Sequence, residues 1–190
     1  MILALFEQPE GVRTRGETGV VYDIDANAAR SGAARVEGPA LLFALASDHD
    51  ALVALSHEVS GAPALAVEVM LDPSVEWLVR CDRVDFPPGG VAYRHVHPGP
   101  GIRRLLHGEL TIDRGDGAPC TYRAGKAWFE GADDPVLATA SPTEETAFVR
   151  VLLLPAAWAG RRTIRYVEPG DEERPKLQRA TILLEEPLPR

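Results

Sequence analysis

Tyr93-Arg94-His95-Val96-His97-Pro98-Gly99-Pro100-Gly101 sets two imidazoles two residues apart in a segment of β character. Side chains at i and i+2 of a strand share one face, so both rings can converge on one point. Neutral imidazole is the commonest protein ligand for zinc, iron, copper and nickel, and the glycine-rich turn after the pair bends the chain back over it. Outward from the pair, Gly89-Gly90 opens the strand. The apolar run Arg103-Arg104-Leu105-Leu106-His107-Gly108-Glu109-Leu110, broken by a turn at Gly108-Glu109, follows it.

The rest of the chain fits an all-β protein. In 190 residues, 16 prolines and 17 glycines are scattered among short apolar runs, which suits strands joined by turns better than a helical bundle. Gly19 to Asp23 reads as a first strand and Gly38-Pro39 starts a short apolar run through Ala46; runs of β character then cover Ala64 to Met70, Val75 to Phe86, Val91 to His97 and Ile102 to Ile112. More follow at Cys120 to Arg123, Ala127 to Glu130, Val136 to Ala140 and Thr146 to Leu154, with fragments at Thr163 to Val167 and Thr181 to Leu184. One short helix is predicted after Ser47-Asp48, where an N-cap precedes Leu52, Leu55 and Val59 at helical spacing. A single domain is expected: residues 1–80 add strands and the helix to the outside, 81–158 form the core, and 159–190 are a C-terminal extension.

Charge narrows the partners. A net charge of −8, with no lysine or arginine run, argues against nucleic acid and anionic membrane. Cys81 and Cys120 are too few for a disulfide scaffold and lack metal-finger spacing, which suits a reducing compartment. No stretch approaches the roughly 18 apolar residues that span a bilayer, and the apolar start Met1 to Phe6 has no basic lead. A soluble cytoplasmic protein acting on a small molecule is the expectation. No nucleophile elbow or phosphate loop is present.

The spacing around the histidines resembles the first motif of the cupin superfamily: Gly, five residues, His-x-His, three or four residues, Glu, six residues, Gly. Gly89, His95, His97 and Gly108 fall in register, and Gly125 opens a segment aligned with the second motif. The resemblance covers roughly residues 80 to 155. It implies a double-stranded β-helix, or jelly roll, here with extra N-terminal strands and one short helix. By analogy it also implies pairing as a homodimer. Gly101 stands where the family has its ligand glutamate, and Val136 where the second motif has its ligand histidine. The site has therefore either lost its metal or recruited other donors.

Glu130 is the candidate substitute, giving a metal set of His95, His97 and Glu130 for Fe, Zn or Mn; a solvated turn glutamate is the plain alternative. Tyr93, Arg103 and Trp128 are candidate substrate-binding residues. Tyr93 shares the histidine face if strand alternation holds, the resemblance implies that Arg103 points inward if position 101 does so as the family's glutamate does, and Trp128 lies near Glu130. His107 is expected to be exposed, and His49 and His57 belong to the helical region. Two functions follow: a metalloenzyme of dioxygenase or isomerase kind, or a metal-free small-molecule binding or sensing module using the cavity.

Overall fold

The computed structural model describes residues 1–16, 19–59 and 61–188, and the last two residues of the C-terminal extension lie outside them. In chain order the strands are β1 Ile2–Gln8, β2 Val12–Arg13, β3 Gly19–Asp23, β4 Ala28–Ser31, β5 Arg35–Val36, β6 Ala40–Ala46 and β7 Leu65–Glu68. They continue with β8 Trp77–Phe86, β9 Val91–Val96, β10 Gly101–His107, β11 Glu109–Asp113, β12 Cys120–Arg123, β13 Ala127–Glu130, β14 Val136–Ala140, β15 Thr146–Pro155, β16 Arg165–Tyr166 and β17 Arg179–Pro187. The one α-helix, α1, spans His49–Glu58 between β6 and β7. The Asp48 carboxylate caps it by accepting from the Ala51 amide at 2.8 Å.

The chain divides into two compact units, residues 1–76 with 186–190, and residues 77–185. In the first, the strands pair among themselves in the order β4-β3-β6-β1-β7, with β2 and β5 as a separate ribbon. The apolar start of the chain, for which the sequence reading gave no strand, is a strand between β6 and β7. Leu3, Ala4, Leu5 and Phe6 are fully buried there. Leu52 and Val59 of the helical segment join Phe6, Leu42 and Val21 in one apolar cluster. Residues 1–76 thus have a sheet and a core of their own.

The second unit holds two five-stranded antiparallel sheets, β13-β10-β15-β8-β17 and β12-β11-β14-β9-β16. The pairing is nested: β11 with β12, β10 with β13, β9 with β14 and β8 with β15. A long hairpin rolled up on itself gives this pattern, and β10 against β15 with β11 against β14 completes the two sheets. This is the jelly-roll topology that the sequence implied. No sheet closes on itself; the two remain separate. The C-terminal extension supplies β16 and β17, one edge strand to each sheet.

Local chemistry sets the strand ends. Gly108 has φ +76, and a Cβ there would lie 2.4 Å from Thr146 Oγ1, so the long apolar run breaks into β10 and β11 at the only residue type that fits. β15 is buried from Thr146 to Leu154, as its almost unbroken apolar run demands. The interior between the sheets is filled at one level by Val84, Phe86, Leu105, Leu110, Trp128, Val136 and Phe148.

Candidate functional site

Four strands carry one inward row of side chains. Trp128 of β13 stands opposite Arg103 of β10, Arg103 opposite Arg150 of β15, and Arg150 opposite Asp82 of β8. On the next row Glu130 faces Gly101, and Leu152 faces both Gly101 and Arg80. His95 and His97 enter from β9 and the turn after it. Asp82, His95, His97, Arg103, Glu130 and Arg150 are all buried.

The network is closed by ion pairs. Arg150 donates to Asp82 Oδ2 through Nε at 3.0 Å and Nη2 at 2.9 Å. Arg103 Nη2 lies 2.7 Å from Glu130 Oε2, off the angle of a hydrogen bond, while its Nη1 donates to the Gly101 carbonyl at 2.7 Å. The Trp128 indole N–H donates to Glu130 Oε1 at 2.8 Å. Burial pushes the Glu130 carboxyl up, but Arg103, the indole and the other charges nearby outweigh it and hold it below its ordinary range. Burial lowers the Arg103 guanidinium to about 10, which leaves it charged at neutral pH.

Both imidazoles are held neutral. Burial lowers His95, and burial together with the charges of Arg150 and Arg103 holds His97 well below its ordinary value. His95 Nδ1 is 2.7 Å from the Tyr93 carbonyl, an acceptor, so Nδ1 carries the hydrogen and Nε2 keeps a lone pair. That Nε2 has no hydrogen-bond partner among the described residues. His97 Nδ1 lies 3.1 Å from Thr163 Oγ1, and its Nε2 is 3.2 Å from Arg150 Nη1, a pure donor. His97 Nε2 is therefore an acceptor already engaged.

Of the residues singled out in the sequence, His95, His97, Arg103, Trp128 and Glu130 line one chamber of about 30 Å³ with an apolar floor. Tyr93 does not. The pairing of β9 with β14 slips between Val136 opposite His95 and Ala138 opposite Ala92, so β9 holds one extra residue. This bulge breaks the alternation: Ala92 and His95 face inward, and Tyr93 turns out beneath Arg174, whose guanidinium carbon is 3.6 Å from its ring centre. His107 is exposed, as expected, and His49 pairs with Glu68.

The donor set does not fit a metal ion. Among the described residues no group of three His, Cys, Asp or Glu side chains is arranged to hold one. His97 Nε2 faces a guanidinium, and both Glu130 oxygens face an indole N–H or a guanidinium. Nor can position 101 regain a ligand, since even a Cβ there would lie 2.3 Å from the Val151 carbonyl oxygen.

Asp82, Arg150, Arg80, Thr163 and Gln178 were not singled out in the sequence. A signal existed: Arg150 is the lone charge in Ala147-Phe148-Val149-Arg150-Val151-Leu152-Leu153-Leu154, and Arg80 and Asp82 interrupt an otherwise apolar strand start. Above the chamber lies a second cavity of about 490 Å³, which shares Arg150, Ile164 and Gln178 with it.

No protein-family model matches the chain, and no curated protein matches it. Among solved structures it is similar to the polyketide cyclase RemF from Streptomyces resistomycificus, at 19% identity over 51% of this chain and 64% of that one, with a TM-score of 0.39. It is also similar to a Cupin 2 conserved barrel domain protein from Salinispora arenicola, at 22% identity over 47% of this chain and 73% of that one, TM-score 0.37. A recombinant oxalate oxidase in complex with glycolate shares 27% identity over 39% of this chain and 41% of its own, TM-score 0.36. The match spans less than two thirds of the cyclase and oxidase chains. The likeness covers about half of this chain or less. No helix among the described residues is long and apolar enough to cross a membrane.

Proposed function

We propose that the jelly roll is a small-molecule enzyme site of the cupin kind that works without a transition metal. One observation carries the reading: Arg150 Nη1 stands 3.2 Å from His97 Nε2, on the lone pair a metal would need. Arg103 lies beside Glu130 in the same way, so two guanidiniums share the chamber with the would-be ligands. A divalent ion would meet their repulsion and would have to displace Arg150 from His97 and Arg103 from Glu130.

The groups present suit proton transfer of the isomerase kind. His95 Nε2 is a neutral, unengaged base fixed in one tautomer, and the two guanidiniums stabilise negative charge that develops beside it. Trp128 and Arg103 keep Glu130 ionised as their counter-charge.

A second reading is supported by the size of the inner chamber. About 30 Å³ admits a water or two, and a ligand that stays in the outer cavity makes the protein a binding or sensing module. The two readings part at His95: His95→Gln keeps ligand affinity and removes turnover only if the protein is an enzyme.

The metal question is settled by elemental analysis of protein purified without chelator or metal-affinity tag, then offered iron, zinc and manganese in turn. No stoichiometric metal is expected in the wild type. Near-stoichiometric metal that disappears in a His95→Ala, His97→Ala double variant would overturn the proposal.

A further inference from the structure

We propose that the ligand is a hydroxylated organic anion, seated in the outer cavity with its charged group toward Arg161, Arg162 and Lys176 and its hydroxyls on Asp82 and Gln178. The inference rests on the metal-independent small-molecule reading and names the ligand class for that site.

Charge gives the first half of the argument. The chain carries a net −8, yet the lining of this cavity holds five cations, Arg80, Arg150, Arg161, Arg162 and Lys176, against one carboxylate, Asp82. Two of the five are framework. Arg80 is tied to Glu185 and to the Arg161 and Trp158 carbonyls, and Arg150 to Asp82, His97 and Thr163. Arg162 and Lys176 share Glu172, which leaves positive charge in excess, and the exposed Arg161 guanidinium has no partner among the described residues. Guanidiniums at a cavity rim suit a carboxylate or phosphate.

Unsatisfied acceptors give the second half. Both bonds from Arg150 to this carboxylate go to Asp82 Oδ2, and Asp82 Oδ1 is buried with no hydrogen-bond donor, on a residue that is 1% exposed. Gln178 Oε1, at the neck between the two cavities, is buried and unpaired as well. A buried acceptor without a donor loses the hydrogen bond it would make in water, so these two atoms call for O–H or N–H groups from whatever enters. A cation does not suit Asp82 Oδ1, because Arg80 and Arg150 line the same wall. The carbon chain of the ligand has Ile164, Ala180 and Ile182 to lie against. About 490 Å³ accommodates a six-carbon molecule.

The test is calorimetric titration of the full chain with three six-carbon probes: D-gluconate, hexanoate and sorbitol. Gluconate is expected to bind at least tenfold more tightly than either of the others. Gln178→Met, which keeps volume and removes the acceptor, should weaken gluconate about tenfold and leave hexanoate unchanged. Arg161→Met, at an exposed side chain, should weaken both anions. Equal affinity for gluconate and hexanoate, no binding of gluconate, or a Gln178→Met variant indistinguishable from wild type would overturn the inference. Gluconate binding that is lost after dialysis against a chelator and restored by zinc would sink the metal-independent reading and leave the ligand class standing.

Discussion

Two adjacent rows on one inner sheet face are equally buried and chemically opposite. Val84, Phe148 and Leu105 form one row across β8, β15 and β10; Asp82, Arg150 and Arg103 form the next, two residues along each strand. No member of either row is more than 7% exposed. The apolar row stabilises the fold by roughly 1.5–3 kcal/mol per side chain removed from water. The ionic row must recover a desolvation cost of several kcal/mol per charge, and against apolar residues of similar shape such pairs about break even or lose. Folding alone does not account for the ionic row. Its place beside the two imidazoles and beneath the outer cavity does.

Removing one partner from the ionic row breaks the comparison most severely. Asp82→Ala leaves the buried Arg150 charge without its carboxylate, and is expected to cost about 3–5 kcal/mol in chemical denaturation. Adding Arg150→Met to Asp82→Ala should return most of that loss. If the double variant is no more stable than the single one, the ionic row is a true stabiliser and the contrast drawn here fails.

In the apolar row no second substitution should rescue the first. Leu105→Ala is expected to cost about 3 kcal/mol, from lost burial plus the cavity left between Phe148 and the facing sheet. Stability measured alongside the Asp82 series sharpens the difference: the ionic loss is one of balance, the apolar loss one of volume.

Acid separates the rows in another way. Burial holds His95 and His97 below the ordinary 6.5, so the unfolded chain takes up protons first as pH falls. Their contribution is complete above about 6.5 and is lost below it, toward the lowered folded values, by up to about 1.4 kcal/mol per pH unit for each ring. Glu130, held below 4.5, adds a further loss only in more acid solution. Denaturation midpoints at pH 7.5 and 5.5 should fall for the wild type and for Leu105→Ala alike. They should move much less for a His95→Gln, His97→Gln variant; an equal fall there would show that the rings are not the titrating groups.

The contrast between rows was half visible in the sequence. Period-two patterning and turn residues located most strands, and β3, β12, β13 and β14 run over the residues expected. The shared face of the His-x-His pair could be read from alternation, because it is local, and an inward Arg103 followed from alternation only once the resemblance had set the direction of position 101. What escaped depends on register. The extra residue in β9 that turns Tyr93 outward leaves no mark in composition, since Tyr93 and Arg94 are ordinary strand residues. Asp82 and Arg150 are 68 positions apart, and only the β8–β15 pairing brings them together. The strand Ile2–Gln8 was obscure because its apolar run carries no turn signal before it.

The finest test lies where the two rows meet, at Trp128. Its ring packs with the apolar layer, 5.4 Å from Phe148 centre to centre and edge-on, while its N–H holds Glu130 Oε1. Trp128→Phe keeps most of the packing and removes the donor, leaving one buried carboxylate oxygen without its bond. A loss of about 1–3 kcal/mol is expected, smaller than for Asp82→Ala because Arg103 still faces the other oxygen. The telling readout is pH: with the indole gone, one of the influences holding Glu130 low is lost, so its carboxyl should titrate higher than in the wild type, as carbon-13 NMR of a glutamate-labelled sample would show. Equal destabilisation with an unmoved Glu130 titration would mean that Trp128 serves the apolar row alone, and that Arg103 by itself fixes the charge of its neighbour.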